Sequence, residues 1–463
     1  MPSSFAIPQI ANCGRAVAPP IKAYGSSWNS LKRLKSVAHL KTEGRKVTTR
    51  RNFLKSSLAG GALLGLPGTA ASANALSLGR ADASQLPPPI SNEEREERIA
   101  RAQALMQQQG LAGIVIEAGT SMLYFSGLGW RQSSRLTALV LPASGDPVVV
   151  APAFEEGKLR ELMVMEMEVR TWQEHESPFA MIGGVLDDRG ADGAIGLERT
   201  ARFFVADGLR SVVPSREVVS ATPVVSPLRQ IKSPREIALM QAANDITMAA
   251  YRETYPQIET GMTGSDIAAL MNAATRARGV DPVFTLALVG EASSYPHGSR
   301  EIHTLRERTV ILMDCGCDVH GYKSDISRTW VHGEPNAEQL RVWNTVCRGQ
   351  DIVMETARLG TPIGAIDDAV RRYYDAEGWG PNYGPPGLTH RTGHGIGMDV
   401  HEDQFVVRGN ETPLEAGMCF SNEPGIYLPG RFGVRSEDCV YMTEDGPQFF
   451  TAPAPRINNP MGI

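Results

Sequence analysis

Two stretches of this 463-residue chain carry acidic residues at the spacing of antiparallel hairpins, and they limit what the chain can become. Thr309-Val310-Ile311-Leu312-Met313 is a strand-like run that delivers Asp314, and the chain returns through Tyr322-Lys323-Ser324-Asp325. A hairpin centred between Val319 and His320 sets Asp314 opposite Asp325, with Cβ atoms about 4.5 to 5.5 Å apart. Met418 to Glu423, the turn at Pro429-Gly430-Arg431 and Arg435-Ser436-Glu437 repeat the pattern, and a hairpin centred on Gly430 sets Glu423 opposite Glu437. Carboxylates this close repel each other, raise each other's pKa and cost stability unless a cation or a shared proton intervenes. A hard metal ion is a natural resolution, and four carboxylates match the charge of two divalent ions clamping one water.

Between the hairpins, His390-Arg391-Thr392-Gly393-His394-Gly395-Ile396-Gly397-Met398-Asp399-Val400-His401 holds three of the nine histidines. Imidazole supplies a nitrogen ligand, a hydrogen bond or a proton near neutral pH, and the glycines allow close backbone approach. Each feature alone also has a structural reading. An Asp after a strand caps a turn, a His in a glycine-rich loop sits satisfied in a core, and Arg435 pairs with Glu437 as a buried ion pair. On the residues alone, a metal site and a structural polar network both remain open.

The rest of the chain supplies a globular frame. Hydrophobic residues make up 42% and charged residues 21%, which is enough apolar matter for sizeable cores. A net charge of −5 gives no reason to invoke nucleic acid or an anionic membrane surface. Ser91 with Glu94 forms a capping-box pattern opening a helix towards Gly110, and apolar runs at Gly113 to Ile116, Leu136 to Leu141 and Val148 to Val150 alternate with helical stretches. Residues 90–225 therefore read as an α/β N-terminal domain without a nucleotide-binding glycine loop. Ser233-Pro234-Arg235-Glu236 opens a second unit, residues 228–463, with helices expected over Ser265 to Arg278, Ala337 to Leu359 and Ile363 to Ala376. Short strands between and after these helices give an α+β C-terminal domain. Six cysteines, with Cys13 in the leader, leave an odd and sparse set that argues against a disulfide framework; Cys315 and Cys317 read as buried small hydrophobes.

Residues 1–80 read as a leader. Thr49-Arg50-Arg51-Asn52-Phe53-Leu54-Lys55 matches the twin-arginine export pattern, Leu58 to Leu66 supplies a short apolar core, and Ala73-Asn74-Ala75 offers small residues for cleavage. The apolar core is too short to span a bilayer. The expectation is removal of the leader, export through the twin-arginine pathway to the periplasm, and no stable membrane insertion.

In order, Asp314, Asp325, His394, Glu423 and Glu437 resemble the five-ligand signature of the pita-bread metallopeptidases, the family of methionine aminopeptidase, aminopeptidase P and prolidase. The resemblance is carried by Asp314-Cys315-Gly316, by Gly321 to Thr329, by His390 to Gly397, by Asn422 to Tyr427 and by Gly433 to Asp438. It implies a pita-bread catalytic domain preceded by the N-terminal domain of the aminopeptidase P, prolidase and creatinase branch. It further implies that Asp325 and Glu437 bridge two divalent metals, that Asp314 completes one site, and that His394 and Glu423 complete the other. His297 and His401 would then contact the scissile amide and its oxyanion, His390 would line the primed-side pocket, and Arg435 would support Glu437 or bind substrate. The implied reaction is attack by a metal-bridging hydroxide on the bond before proline, in a peptide with proline second, while Glu423 relays a proton to the leaving nitrogen. Manganese is the favoured ion for an oxygen-rich shell with one imidazole; cobalt, zinc and iron fit the same geometry. A homodimer is implied, in which Trp130 reads either as a contributor to a neighbouring pocket or as a core or surface aromatic. The chain departs from the pattern at Arg306-Glu307-Arg308-Thr309, where Gly-Asp is common, and at Glu291-Ala292-Ser293-Ser294, which lacks the usual asparagine before His297. A lyase or hydrolase acting on a small molecule with the same site is the alternative reading.

Overall fold

Six strands form the first sheet: β1 (Leu111–Glu117), β2 (Ala138–Pro142), β3 (Val148–Pro152), β4 (Glu168–Trp172), β5 (Ala194–Leu197) and β6 (Val218–Ser220). The computed structural model describes residues 86–463, so the leader, its twin-arginine pattern and its cleavage site lie outside the described residues. The strand order is β4-β3-β2-β1-β5-β6, antiparallel across β1, β2 and β3 and parallel elsewhere. Every residue of β1, β2 and β3 is buried, as expected of short apolar runs covered on both faces. Alternation divides them. Ile114, Ile116, Leu139, Leu141, Val149 and Ala151 face one apolar cluster, while Val115, Ala138, Val140, Val148 and Val150 face another.

The first cluster joins the two halves of the molecule. It takes in residues from α1 (Asn92–Gln108), α2 (Thr120–Ser126) and α6 (Thr222–Gln230), and continues into Leu239, Met240, Tyr322 and Met398. The second lies under α4 (Pro178–Asp188) and α5 (Phe203–Val212). α3 (Glu156–Leu162) follows β3. Ser91 caps α1 by accepting from the Glu94 amide at 3.2 Å, but the Glu94 carboxylate does not return to the cap. It accepts instead from Arg98 at 3.0 Å and from Ser233 at 2.8 Å, and the Arg98 bond is charge-assisted. The capping box expected at Ser233 and Glu236 is complete, and Pro234 occupies the first turn of α7 (Pro234–Thr254).

α7 and α8 (Gly264–Ala277) cover a sheet of β7 (Pro282–Val289), β8 (Thr309–Val319), β9 (Tyr322–Lys323) and β10 (Ile326–His332), all antiparallel. A second sheet runs β12-β11-β13-β16-β17, from β11 (Gly393–Gly395), β12 (Glu402–Val406), β13 (Cys419–Asn422), β16 (Asp438–Thr443) and β17 (Gly446–Phe449). β14 (Gly425–Leu428) and β15 (Phe432–Arg435) pair beside it. α9 (Ala337–Thr356) and α10 (Ile363–Ala376) pack behind these strands. α10 has the expected ends. α9 stops three residues before the expected Leu359, at the turn leading to Gly360 and the extended Thr361-Pro362.

The two hairpins differ in how they meet expectation. β14 and β15 pair Gly425 with Arg435 and Leu428 with Phe432, and β13 and β16 continue the register with Asn422 opposite Asp438. Glu423 and Glu437 fall opposite each other at the break between the two ladders, as a hairpin centred on Gly430 requires. The first hairpin is shifted. Val319 pairs with Tyr322, so the turn is His320-Gly321, and Asp314 pairs with Ser327 rather than with Asp325. His320 has φ 50° and Gly321 φ 94°, the left-handed pair that a two-residue turn needs to match strand twist. The shift amounts to two residues along the partner strand, so Asp314 and Asp325 keep the same face and become diagonal neighbours.

Candidate metal centre and catalytic cleft

Backbone pairing brings the carboxylates together. Ser327 and Glu437 exchange both main-chain hydrogen bonds at 3.2 Å, docking the second hairpin onto the first two residues beyond Asp325. β11 is stitched to β13 by the Glu423 amide donating to Thr392 at 2.9 Å and the His394 amide donating to Ser421 Oγ at 3.0 Å. The glycines flanking His394 make this approach possible. A Cβ at Gly393 would lie 1.9 Å from the Ser421 carbonyl oxygen, and one at Gly395 would lie 1.7 Å from that of Asp403.

The nine residues singled out from sequence, Asp314, Asp325, His394, Glu423, Glu437, His297, His390, His401 and Arg435, line one cavity of about 560 Å³. His394 Nε2 lies 3.5 Å from Asp325 Oδ2 and 3.4 Å from Glu423 Oε1. Ligand atoms of Asp325, His394 and Glu437 all lie within 4.8 Å of one another. His394 Nδ1 lies 3.1 Å from the Gly395 carbonyl, which fixes the proton there and leaves the Nε2 lone pair facing the acids. Burial and the neighbouring His401 push its pKa down to about 3, so the ring is neutral. Asp325 and Glu437 are the deepest acids, with side chains 5% and 2% exposed, against 15% for Asp314 and 12% for Glu423.

The acids are under-compensated. Burial, then Glu437, Asp314 and Glu423, holds Asp325 well above the usual carboxylate range. Burial with Glu423 and Asp314 does the same to Glu437. Burial raises Glu423 to about 7, with Arg435 opposing and Asp314 reinforcing. Arg435 is the one cation paired with these acids among the described residues, and its donors go to protein: Nη2 to Asp314 at 2.6 Å, Nε to Ser327 Oγ at 2.9 Å, and Nη1 to Pro296 O at 3.0 Å and Tyr427 OH at 2.9 Å. That leaves one of the five guanidinium N–H groups for a substrate. Its main work in this structure is to hold Asp314 and to stand 3.6 Å from Glu437.

The histidines differ in freedom. His390 is committed at both nitrogens, Nδ1 to Arg391 O at 2.7 Å and Nε2 to Tyr427 OH at 2.9 Å, so it offers the cavity a ring edge. His297 is exposed at the rim, on the loop after Gly290–Ser294. The His401 ring stands 4.1 Å from that of His394 at 74°. Sequence reasoning passed over Tyr427, although it closes the quoted Asn422 to Tyr427 segment, and Ser327, which donates to Glu437 at 2.6 Å. It also passed over an apolar wall of Val283, Phe284, Leu286 and Val400, and over Arg391, whose guanidinium lies 4.1 Å over the Phe405 ring. Trp130 lines a separate surface pocket of the first sheet layer, with the Lys158 ammonium 4.8 Å over its ring. Cys315 and Cys317 are buried free thiols.

The profile of metallopeptidase family M24 matches residues 238–444, and that of the creatinase/prolidase N-terminal domain matches residues 98–231. "Probable dipeptidase PepE" of Mycobacterium bovis is 35% identical over 355 residues, covering 75% of this chain and 92% of that protein. The chain belongs to metallopeptidase family M24. Within M24, the Xaa-Pro dipeptidase of Lactobacillus helveticus is 31% identical over 336 residues, covering 71% of this chain and 89% of that protein. The crystal structure of dipeptidase PepE from Mycobacterium ulcerans superposes with a TM-score of 0.74 at 30% identity, covering 80% of this chain and 99% of that one. The architecture is thus a creatinase-type N-terminal domain followed by a pita-bread domain, and the chain is a dinuclear metallopeptidase of the aminopeptidase P and prolidase branch.

The residues present fit divalent ions. Asp314 Oδ1 is buried with no hydrogen-bond partner among the described residues, an arrangement that is costly without a cation. Three further carboxylates and an unprotonated imidazole nitrogen complete a hard donor set.

Proposed function

We propose that this metallopeptidase hydrolyses the bond before proline in Xaa-Pro peptides, with two divalent ions held by Asp314, Asp325, His394, Glu423 and Glu437. The observation that carries the reading is the convergence of four carboxylates and one neutral imidazole on a single cavity, where Arg435 is the one cation paired with the acids among the described residues. Asp325 and Glu437, the deeper pair, and Asp314 and Glu423, nearer the cleft, would hold the ions together with His394. Bound ions supply Lewis acidity towards a water and the scissile carbonyl, and an oxygen-rich shell with one imidazole favours manganese.

The chain's own groups do the rest. The apolar wall of Val283, Phe284, Leu286 and Val400 seats the substrate and excludes water. His297 and His401 donate to the scissile amide and to the oxygen on which charge develops. Glu423, at the open side and beside His394, holds a proton and delivers it to the leaving proline nitrogen. His390, oriented by Tyr427, shapes the recess for the proline ring. The names of the relatives support a peptide substrate: one is called a dipeptidase, another an Xaa-Pro dipeptidase.

A panel of Xaa-Pro dipeptides and longer Xaa-Pro peptides, assayed with added manganese and with Asp325→Asn as the inactive control, tests this directly. Cleavage of dipeptides alone marks a dipeptidase, and release of the first residue from longer peptides marks an aminopeptidase. Failure on both overturns the substrate assignment. Export to the periplasm is proposed on the Thr49 to Lys55 pattern, and changing Arg50 and Arg51 to Lys is expected to retain the protein in the cytoplasm. A homodimer is proposed on the family resemblance, and light scattering should give twice the mass of one chain. No described helix is long and apolar enough to cross a membrane.

A further inference from the structure

His401 is loosely tethered in the cleft. Its ring is exposed and packs edge-on against His394, and no hydrogen bond holds it among the described residues. Its direction is therefore set by the backbone of its own loop, and the contacts that set that loop come largely from the other half of the molecule.

We propose that Arg229, in the helix that leaves the first sheet layer, is a positioning residue for His401. Arg229 reaches the two acids that bracket His401, with Nη2 at 2.8 Å from Asp399 Oδ2 and 2.6 Å from Glu402 Oε1. Its Nη1 donates to Ser121 Oγ in α2 at 3.1 Å, and the neighbouring Thr120 Oγ1 donates to Asp399 Oδ1 at 2.6 Å. Glu402 in turn closes the loop on itself, with Oε1 accepting from the Met398 amide at 2.9 Å and the Asp399 amide at 3.2 Å. Lys232 anchors Glu402 Oε2 at 3.0 Å. The loop lies between two spaces. His401 lines both the 560 Å³ cleft and a second cavity of about 60 Å³, which Arg229, Asp399 and Glu402 also line. None of these contacts involves the five proposed metal ligands, so a change in Arg229 displaces His401 while leaving the metal set intact. In chemical terms, the first sheet layer sets the position of a donor aimed at the substrate carbonyl.

The inference rests on the proposed role of His401 at the substrate, and a double-mutant cycle separates the two. In the metal-loaded full chain, Arg229→Gln is expected to lower kcat/KM about 10- to 100-fold, the usual effect of misplacing a catalytic donor by about 1 Å. The metal content should be unchanged. Made on top of His401→Ala, the same change should cost less than about twofold, because the group it positions is already gone. Should Arg229→Gln not fold, Thr120→Val enters the same cycle, with a smaller loss that also vanishes without His401. An equal loss in both backgrounds, or a loss of bound metal, overturns the positioning role. Wild-type activity in His401→Ala alone overturns the His401 assignment itself and this inference with it.

Discussion

Glu402 and Glu423 are buried glutamates on either side of β11, with side chains 6% and 12% exposed, yet their acidities lie far apart. Burial alone would raise both. At Glu402, Lys232 and Arg229 overcome that effect and bring the carboxyl down to about 2. At Glu423, where Arg435 is shared with Asp314 and Glu437, the carboxyl rises to about 7. Burial therefore does not distinguish the proposed catalytic acid from a structural one; what distinguishes them is whether the protein supplies its own cations. The Glu402 cluster is complete as it stands. The Glu423 cluster, on the proposed reading, is completed by ions that the chain does not encode.

The comparison can be broken most forcefully at the uncompensated cluster. Asp325→Asn removes one of its two deepest carboxylates and is expected to lower kcat by about a thousandfold or more, ~4 kcal/mol, with loss of bound metal while the fold is retained. Metal analysis together with circular dichroism checks both halves of that outcome. At the compensated cluster the opposite pattern is expected. Glu402→Gln leaves Lys232 buried against a neutral partner and Arg229 with Asp399 alone, and should destabilise the fold by about 3 kcal/mol, read from denaturant unfolding, while the metal stays bound. Arg435→Lys comes next. A lysine cannot reproduce the four donor contacts that hold Asp314, Ser327, Pro296 and Tyr427, and metal affinity should fall about 10- to 100-fold by competition titration.

Acidity gives the smallest and sharpest contrast. Glu402 titrates below its ordinary 4.5, so its contribution is present above that pH and is lost as pH falls towards 2. Glu423 titrates above 4.5, so the chelated protein binds more protons folded than unfolded, and loses stability as pH rises through about 7. The slope for one such group is at most about 1.4 kcal/mol per pH unit. Thermal midpoints of chelated protein should fall between pH 4.5 and 7, and saturating manganese should abolish that fall; an identical profile with and without metal contradicts it.

Much of this was legible in the chain itself. Short apolar runs located the strands β1 to β3, 3.6-residue spacing located the helix Ile363–Ala376, and the Gly430 turn set the register that brings Glu423 opposite Glu437. The first hairpin misled by two residues because Asp318 to Gly321 holds more than one candidate turn, and only the backbone shows that His320 takes the left-handed position before Gly321. Face parity survived that error, which is why the acid pair did too. What the sequence hid were partners far apart in the chain. Arg229 with Glu402, Arg435 with Asp314, and Glu94 diverted to Ser233 are 173, 121 and 139 residues apart, and no local pattern announces them. The free ring of His401 and the committed ring of His390 likewise look identical in sequence; their difference lies in whether Tyr427 or only a loop holds them.

The central claim is that the acids of the cleft converge because divalent ions complete them. The most direct measurement is the metal content of the chelated, then manganese-reconstituted chain, determined by mass spectrometry alongside Asp325→Asn. The account predicts two ions per chain in the wild type and a clear deficit in the variant. Fewer than one ion per chain at saturating metal, or equal content in both, would contradict it.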